Sequence, residues 1–188
     1  PPRSRPLRRL NRRKTLALQV LPTGDNVARA PLRLPERDIR AFAEQHAAWL
    51  EAAVARARAG SRAAQQAGIL SETELQRLRT AAQADLTERV TRLAARMDVS
   101  FAGITIRAQR TRWGSCSARG SLSFNCLLML APPEVREYVA VHELCHRKQM
   151  NHSAAFWREV ALWLPDYAAQ RAWLREHGPA LLGRLPKT

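Results

Sequence analysis

The sequence has no long hydrophobic run. Each apolar stretch of the 188-residue chain meets a charged residue before it reaches the roughly 18 to 20 residues that a membrane-spanning helix needs. No apolar segment of the signal-peptide kind follows the basic N-terminal residues. We therefore expect a protein with no membrane partner and predict a cytoplasmic location.

Cysteine is scarce as well. The three cysteines, Cys116, Cys126 and Cys145, form no CxxC pair, and any disulfide would leave one thiol over. This pattern argues against a disulfide-stabilised secreted domain and favours buried thiols in a reducing compartment. Cys145 lies inside the histidine motif described below, but we expect it to pack in the interior because adjacent helical residues face different directions.

Negative charge is in short supply, with 16 Asp and Glu against 31 Lys and Arg, a net charge of +15. Residues 1–14 contribute seven of these positive charges and no negative one. The balance favours polyanionic partners such as nucleic acid, although a solvated basic surface has the same composition. No aromatic residue interleaves residues 1–14, which we predict to be a basic flexible arm or an edge strand. Many arginines and few lysines indicate a GC-rich bacterial genome.

The length fits one compact domain, within which three regions can be distinguished. Residues 1–14 are the basic arm, residues 15–98 are predicted to form a hairpin and two long helices, and residues 99–188 are predicted to form the core that carries the histidine motif described below. A hydrophobic period near 3.6 predicts that the first helix ends near residue 59, before a linker or frayed helix at residues 60–68.

The second long helix is predicted to begin at a capping box, in which Ser71 precedes Glu74 by three residues, and to end near Met97. Alternating apolar residues then predict three strands within residues 99–131, the last two joined by a turn at residues 118–120. Helices are predicted over residues 133–150, 153–164 and 167–177. Together these elements predict an α+β fold with a small antiparallel or mixed sheet packed against the first of these three helices.

That helix carries an HExxH motif. His142 and His146 are four residues apart, so their side chains project from one helical face and can share a metal ion. Glu143 lies beside them, where its carboxylate can act as general base towards a water molecule activated at the metal. The motif therefore predicts two metal ligands and a catalytic base.

His152 is the preferred third ligand. On an unbroken helix it would lie about 80° round from His142 and about 9 Å beyond His146, too far to reach the same ion. The helix must therefore turn first. We expect the turn at Met150 and Asn151, because Asn tolerates the left-handed conformation that ends helices.

Three imidazoles leave open the fourth position that a catalytic zinc site needs, so we predict one Zn²⁺ per chain. Imidazole also binds cobalt, nickel and copper, and the preference for zinc comes from the motif and from metal availability. The alternative third ligand is Glu159, on the helix that Ser153 is predicted to cap. Tertiary structure would have to bring that carboxylate to the site, whereas His152 follows the helix break directly. Phe156, Trp157, Val160 and Trp163 are expected to pack behind the site.

The run from Arg112 to Trp157 resembles the YgjP-like metallopeptidases, relatives of the SprT and WLM proteins. In that family RWGSC, VVHELCH and NHSxxFW recur in this order, and the likeness covers about residues 100–178. The resemblance implies a zincin-like α+β fold and one zinc ion, with the HExxH histidines and His152 as ligands and Glu143 as the base.

Three further residues are candidates for contacts with a substrate or an oxyanion. Arg112, in the RWGSC motif, can present its guanidinium group to a carbonyl, carboxylate or phosphate, although an arginine in a strand commonly packs its aliphatic stem. Gly114 would permit close backbone approach. Tyr138 and Tyr167 can stabilise a developing oxyanion.

The sequence therefore predicts a zinc-dependent peptidase acting on peptides or proteins. One alternative is a nucleotide phosphohydrolase of the nucleoside triphosphate pyrophosphatase kind, since activated water also attacks phosphorus and the chain is strongly basic. Another is a DNA-associated protease that binds nucleic acid through the basic arm. A binding module without activity has little use for an open three-ligand site beside a glutamate.

Overall fold

The computed structural model of the chain describes residues 8–10 and 15–186. These residues form six strands, six α-helices and one 3-10 helix, which confirms the predicted α+β composition. Of the predicted basic arm, residues 1–7 and 11–14 lie outside the described residues. None of the helices in the described part of the chain combines the length and hydrophobicity that a membrane crossing requires.

The N-terminal strands form a three-stranded sheet. Strand β3 (Asn26–Arg29) is central, pairing in parallel with β1 (Arg8–Leu10) and antiparallel with β2 (Ala17–Val20). The predicted hairpin is confirmed. Its turn places Gly24 at φ 81°, in the left-handed region that glycine adopts without strain. Three residues of the predicted arm thus form an edge strand.

The predicted first helix is two helices, α1 (Glu36–Gln45) and α2 (Ala47–Ala67). They meet at His46, whose Nδ1 lies 2.8 Å from the carbonyl oxygen of Phe42. The imidazole provides a hydrogen-bond partner for a carbonyl group near the end of α1, where backbone carbonyls lack partners within the helix. The hydrophobic period continues across the break and therefore did not indicate it.

Residues 60–68 were predicted to be a linker or a frayed helix, and the linker is wrong, because α2 continues through this segment to Ala67. Gly60 is buried, and a Cβ atom there would lie 2.6 Å from Cβ of Pro179 in the last helix, α6 (Tyr167–Leu182). Packing against α6 outweighs the low helix propensity of glycine. The same packing accompanies the extension of α6 five residues beyond its predicted end at residue 177.

The next helix, α3 (Glu72–Met97), begins at the predicted capping box. Oγ of Ser71 accepts a hydrogen bond from the backbone N–H of Glu74 (3.2 Å), and Oε2 of Glu74 accepts one from the N–H of Ser71 (2.8 Å). The helix ends at Asp98, which adopts a left-handed conformation at φ 51°. One face of α3 is buried in the main core, including Leu86, Val90, Leu93 and Met97.

The second sheet is mixed, as expected. Strand β6 (Ser121–Asn125) is central, parallel to β4 (Gly103–Arg107) and antiparallel to β5 (Gly114–Cys116). The predicted turn between β5 and β6 is confirmed, with Gly120 at φ 84°. The guanidinium group of Arg147 donates to the carbonyl of Ala118 in this turn and to that of Ser100.

After the 3-10 helix Cys126–Leu130, the chain forms α4 (Pro133–Cys145), α5 (Ala154–Trp163) and then α6. Half-buried ion pairs join α4 to α3. Arg89 of α3 binds both Asp85 on its own helix and Glu137 on α4, and Arg136 of α4 binds Asp85 at 3.2 Å. These contacts fix the orientation of the helix that carries the HExxH motif. The proposed boundary between the N-terminal region and the core, at residue 98, stays a prediction.

Candidate metal centre

Helix α4 ends at Cys145, five residues before its predicted end at Met150. His146 keeps right-handed helical angles, and the backbone N–H groups of Arg147 and Lys148 then bond to carbonyls three residues earlier. A tight turn built on these residues replaces the expected continuation of the helix. It turns the chain early enough for the following loop to fold back over the helix end.

The expected left-handed Asn151 is also wrong. Within residues 8–10 and 15–186, Asp98 is the one residue other than glycine with a positive φ. The turn has already been made before Asn151, whose Oδ1 instead accepts a hydrogen bond from the N–H of Ser153 at 3.2 Å. The predicted cap is confirmed, since Oγ of Ser153 accepts from the N–H of Phe156 at the start of α5.

The turn brings three histidines together. His142 projects from α4, His146 follows its end and His152 lies in the loop, and one ligand nitrogen from each lies within 4.8 Å of the others. Nε2 of His152 is 3.0 Å from Nε2 of His142. Among the described residues this is the one group of three or more ligand side chains close enough to share an ion.

The chemistry of this cluster fits a divalent metal ion. Nδ1 of His146 lies 3.0 Å from the carbonyl oxygen of Gln149, a contact that assigns the ring proton to Nδ1 and leaves Nε2 free for a metal. Burial, followed by the neighbouring His146 and His152, lowers the pKa of His142 to about 3. The imidazole is therefore neutral at pH 7, as a metal ligand must be.

An aromatic side chain supports all three imidazoles. The ring of Phe156 lies 4.9, 4.6 and 4.8 Å from the rings of His142, His146 and His152, and Phe156 is fully buried. Trp157 continues this surface, with its ring 5.9 Å from His142 and 5.8 Å from His152. The expected packing of Phe156 and Trp157 at the site is confirmed, and Val160 and Trp163 pack in the same core.

The carboxyl group of Glu143 is enclosed between α4 and β5. The side chain is only 5% exposed, and its Oε2 is buried with no hydrogen-bond partner among the described residues. Burial raises the pKa of Glu143 to about 8, and the positive charge of Arg112 opposes the shift. An unpaired buried oxygen is rare in proteins and fits a group that meets a partner from outside the chain.

The residues predicted to contact a substrate or an oxyanion lie around the histidine cluster and the carboxyl group of Glu143. Arg112 is exposed and lies close enough to influence Glu143. Tyr138 is buried, with its ring 5.8 Å from that of His142 and stacked on Tyr167 at 6.4 Å. Burial raises the pKa of Tyr138 to about 12, so its hydroxyl keeps its proton as a hydrogen-bond donor.

Glu159 lies outside the cluster. Its Oε1 accepts hydrogen bonds from Nζ of Lys148 at 2.7 Å and from Nε1 of Trp163 at 3.0 Å. The hydrogen bond from Lys148, followed by the one from Trp163, holds the pKa of the Glu159 carboxyl below its ordinary value. The geometry therefore favours His152 over Glu159 as third ligand.

Two residues at the site were not predicted from the sequence. Asn125 is fully buried, and its Nδ2 donates to the carbonyls of Gln109 (2.7 Å) and Arg112 (2.9 Å) while its Oδ1 accepts from the N–H of Leu127 (3.1 Å). It holds the loop that carries Arg112. Arg171, on α6, lies over the ring of Trp157. Neither belongs to a spacing pattern, so the sequence offered no signal for them.

The thiols are packing residues, and the expected burial is confirmed for two of the three. Cys126 and Cys145 are buried and Cys116 is half-buried, and all three are free. Burial raises the pKa of each, that of Cys145 to about 12, so the thiols stay protonated and poorly nucleophilic.

Comparison with known proteins identifies one family. The family model of the YgjP-like metallopeptidase domain matches residues 71–177, more than half of the chain. A search of curated proteins found no match. Among solved structures, the metallopeptidase zymogen abylysin of Pyrococcus abyssi is 20% identical, with a TM-score of 0.44, and the match covers 47% of this chain and 90% of abylysin. The zymogen jannalysin of Methanocaldococcus jannaschii is 18% identical, with a TM-score of 0.41 and coverage of 47% and 94%.

Proposed function

The chain belongs to the YgjP-like family and is a metal-dependent hydrolase of the metallopeptidase class, and we propose that it cleaves peptide bonds at a zinc ion held by His142, His146 and His152. The observation that carries the proposal is the approach of three imidazole nitrogens to within 4.8 Å of one another. Glu143, whose carboxyl group is buried, directly follows His142 in the chain. Neutral nitrogen ligands beside one carboxyl are the set that a zincin-like peptidase needs.

Glu143 acts as the general base in this mechanism. When bound, zinc supplies a Lewis acid that polarises the scissile carbonyl and acidifies a water molecule. The carboxylate of Glu143 accepts a proton from the attacking water and returns it to the amine of the departing peptide. Burial raises the pKa of Glu143 to about 8 in the metal-free chain. The positive charge of a bound zinc ion would lower this pKa and leave the carboxylate able to accept a proton near neutral pH.

The surrounding side chains position the substrate. Tyr138 keeps its hydroxyl proton, and Tyr167 has its ring orientation fixed by stacking on both Tyr138 and Trp157. Either hydroxyl can donate to the developing oxyanion. The guanidinium group of Arg112 can bind a substrate carbonyl or carboxylate, and Asn125 fixes the loop from which it projects.

No observation favours the phosphohydrolase alternative. The described residues bring no group of three or more carboxylates together at a distance suited to a metal ion, and the family matched is one of peptidases. The DNA-associated protease depends on the basic arm, most of which lies outside the described residues.

Elemental analysis combined with a peptide screen tests the proposal. Protein purified without chelator or metal-affinity resin should contain about one zinc ion per chain, as should Glu143→Gln and Glu159→Gln, while His152→Ala should lose it. Peptides from a digested proteome should be cleaved by the wild type and left intact by Glu143→Gln. If zinc is retained in His152→Ala but lost in Glu159→Gln, the third ligand is Glu159 and not His152. Cleavage by zinc-containing Glu143→Gln would reject Glu143 as the base.

A further inference from the structure

A second guanidinium group lies at the rim of the histidine cluster, and none of the roles above uses it. Arg171 of α6 lies over the indole ring of Trp157, with its Cζ atom 4.6 Å from the ring centroid. The same indole lies 5.9 Å from the ring of His142 and 5.8 Å from that of His152. One aromatic ring therefore separates this positive charge from the proposed zinc ligands.

The platform beneath Arg171 is rigid. The ring of Trp157 stacks on Tyr167 at 5.3 Å with an interplanar angle of 16°, and Tyr167 stacks on Tyr138 at 6.4 Å with the same angle. Tyr138 is itself buried against the site. A planar guanidinium group resting on a fixed aromatic face loses little further freedom when it binds a ligand.

Arg171 has no carboxylate partner of its own among the described residues. The ion pairs of this part of the chain involve other arginines and Lys148, and the side chain of Arg171 is exposed.

A stacked, unpaired arginine is suited to a carboxylate. Its planar fork binds the two oxygens of a carboxylate with parallel hydrogen bonds, whereas the guanidinium face stays on the indole. The span from Arg171 across Trp157 to the histidines corresponds to about three residues of extended chain at roughly 3.4 Å each. A peptide whose scissile carbonyl lies at the cluster would carry a nearby residue past this guanidinium group.

We propose that Arg171 forms a carboxylate-binding subsite, so that preferred substrates carry an acidic side chain or a chain-terminal carboxylate within about three residues of the cleaved bond. This inference rests on the proposed peptidase function. It makes Arg171 a specificity-determining residue and adds a substrate class that the zinc ligands and Glu143 do not specify.

Binding to a zinc-loaded protein that does not turn over tests the subsite. In a Glu143→Gln background, dissociation constants are measured for dansyl-labelled alanine hexapeptides in which one Glu or one Gln is moved along the chain. Each peptide is made with a free and with an amidated C-terminus, which separates a side-chain carboxylate from a terminal one. At one position at least, the peptide with a carboxylate should bind about fivefold more tightly than the peptide with an amide at the same position.

The matched variants are Arg171→Gln and Arg175→Gln, which remove the same charge one helical turn apart on α6. Arg171→Gln should abolish the preference for the carboxylate peptide, Arg171→Lys should keep part of it, and Arg175→Gln should retain it. Equal affinity for carboxylate and amide peptides, or equal effects of the changes at positions 171 and 175, would overturn the subsite.

Cleavage assays on the wild type distinguish a failure of the subsite from a failure of the proposed peptidase function. Hydrolysis of proteome-derived peptides without any preference that depends on Arg171 leaves the peptidase standing and rejects the subsite. Carboxylate binding that depends on Arg171, without hydrolysis of any peptide by zinc-loaded wild type, supports the subsite and rejects the peptidase.

Discussion

Gly114 of β5 lies directly against the carboxyl group of Glu143 in α4. A Cβ atom at position 114 would be 2.5 Å from Oε1 and 2.7 Å from Cγ of that glutamate. Gly114 is also paired with Phe124 of the central strand, which is fully buried. Gly114 is held in the sheet and Glu143 is buried, so neither residue can move freely. The glycine of the RWGSC motif therefore determines how closely the sheet approaches the proposed base.

Replacing this glycine tests the relationship. Gly114→Ala should displace Glu143 and lower kcat/KM by about 100-fold, because a shift of about 1 Å in a catalytic group costs that much. Zinc content should be unchanged. The control is Gly103→Ala in the same sheet, where a Cβ atom meets nothing within 4 Å. Similar kcat/KM values for the two variants would show that the contact does not position the base.

The buried carboxyl predicts a distinctive pH dependence in metal-free protein. Burial raises the pKa of Glu143 from 4.5 to about 8, so between these values the unfolded chain loses a proton that the folded chain keeps. Stability from this group is complete below about pH 4.5 and decreases as the pH rises towards 8, by about 1.4 kcal/mol per pH unit.

Urea denaturation in EDTA at pH 5, 6.5 and 8 measures this effect. As the pH rises, the free energy of unfolding of the wild type should fall relative to that of Glu143→Gln, because glutamine does not titrate. The histidines titrate in both proteins, so their contributions cancel in the comparison. A difference that stays constant over this pH range would contradict the raised pKa.

Asn125 should matter chiefly for stability. Asn125→Ala leaves the carbonyls of Gln109 and Arg112 and the N–H of Leu127 without their side-chain partner, and we expect the free energy of unfolding to fall by about 2–4 kcal/mol. Gln109→Ala, which removes one side-chain hydrogen bond of 3.4 Å, should cost less than about 1 kcal/mol. Chemical denaturation of the zinc-loaded proteins checks both values, and equal losses would argue against the bonding role of Asn125.

Phe156 should affect the metal as well as the core. Phe156→Leu removes the ring that contacts all three imidazoles, and zinc affinity, measured by competition with a chelator, should fall about tenfold because the ligands are held less firmly. The control is Phe124→Leu, equally buried in the same core. It should lower stability by a similar amount while leaving zinc affinity unchanged. An equal fall in affinity for both variants would indicate a general loss of packing.

Local patterns were sufficient to predict much of this protein. The capping box at Ser71, the hairpins and the four-residue spacing of His142 and His146 each depend on backbone geometry within a few residues, which is the range over which sequence patterns are informative. The histidines lie together as expected, while the zinc ion and the role of Glu143 stay predictions.

Contacts between distant residues decided the rest. α2 continues past its predicted end because Gly60 meets Pro179, more than a hundred residues later in the chain. The placement of Gly114 against Glu143 and of Arg171 over Trp157 likewise joins separate elements. No local periodicity records such pairings, because they depend on how the packed helices and sheets approach one another in three dimensions.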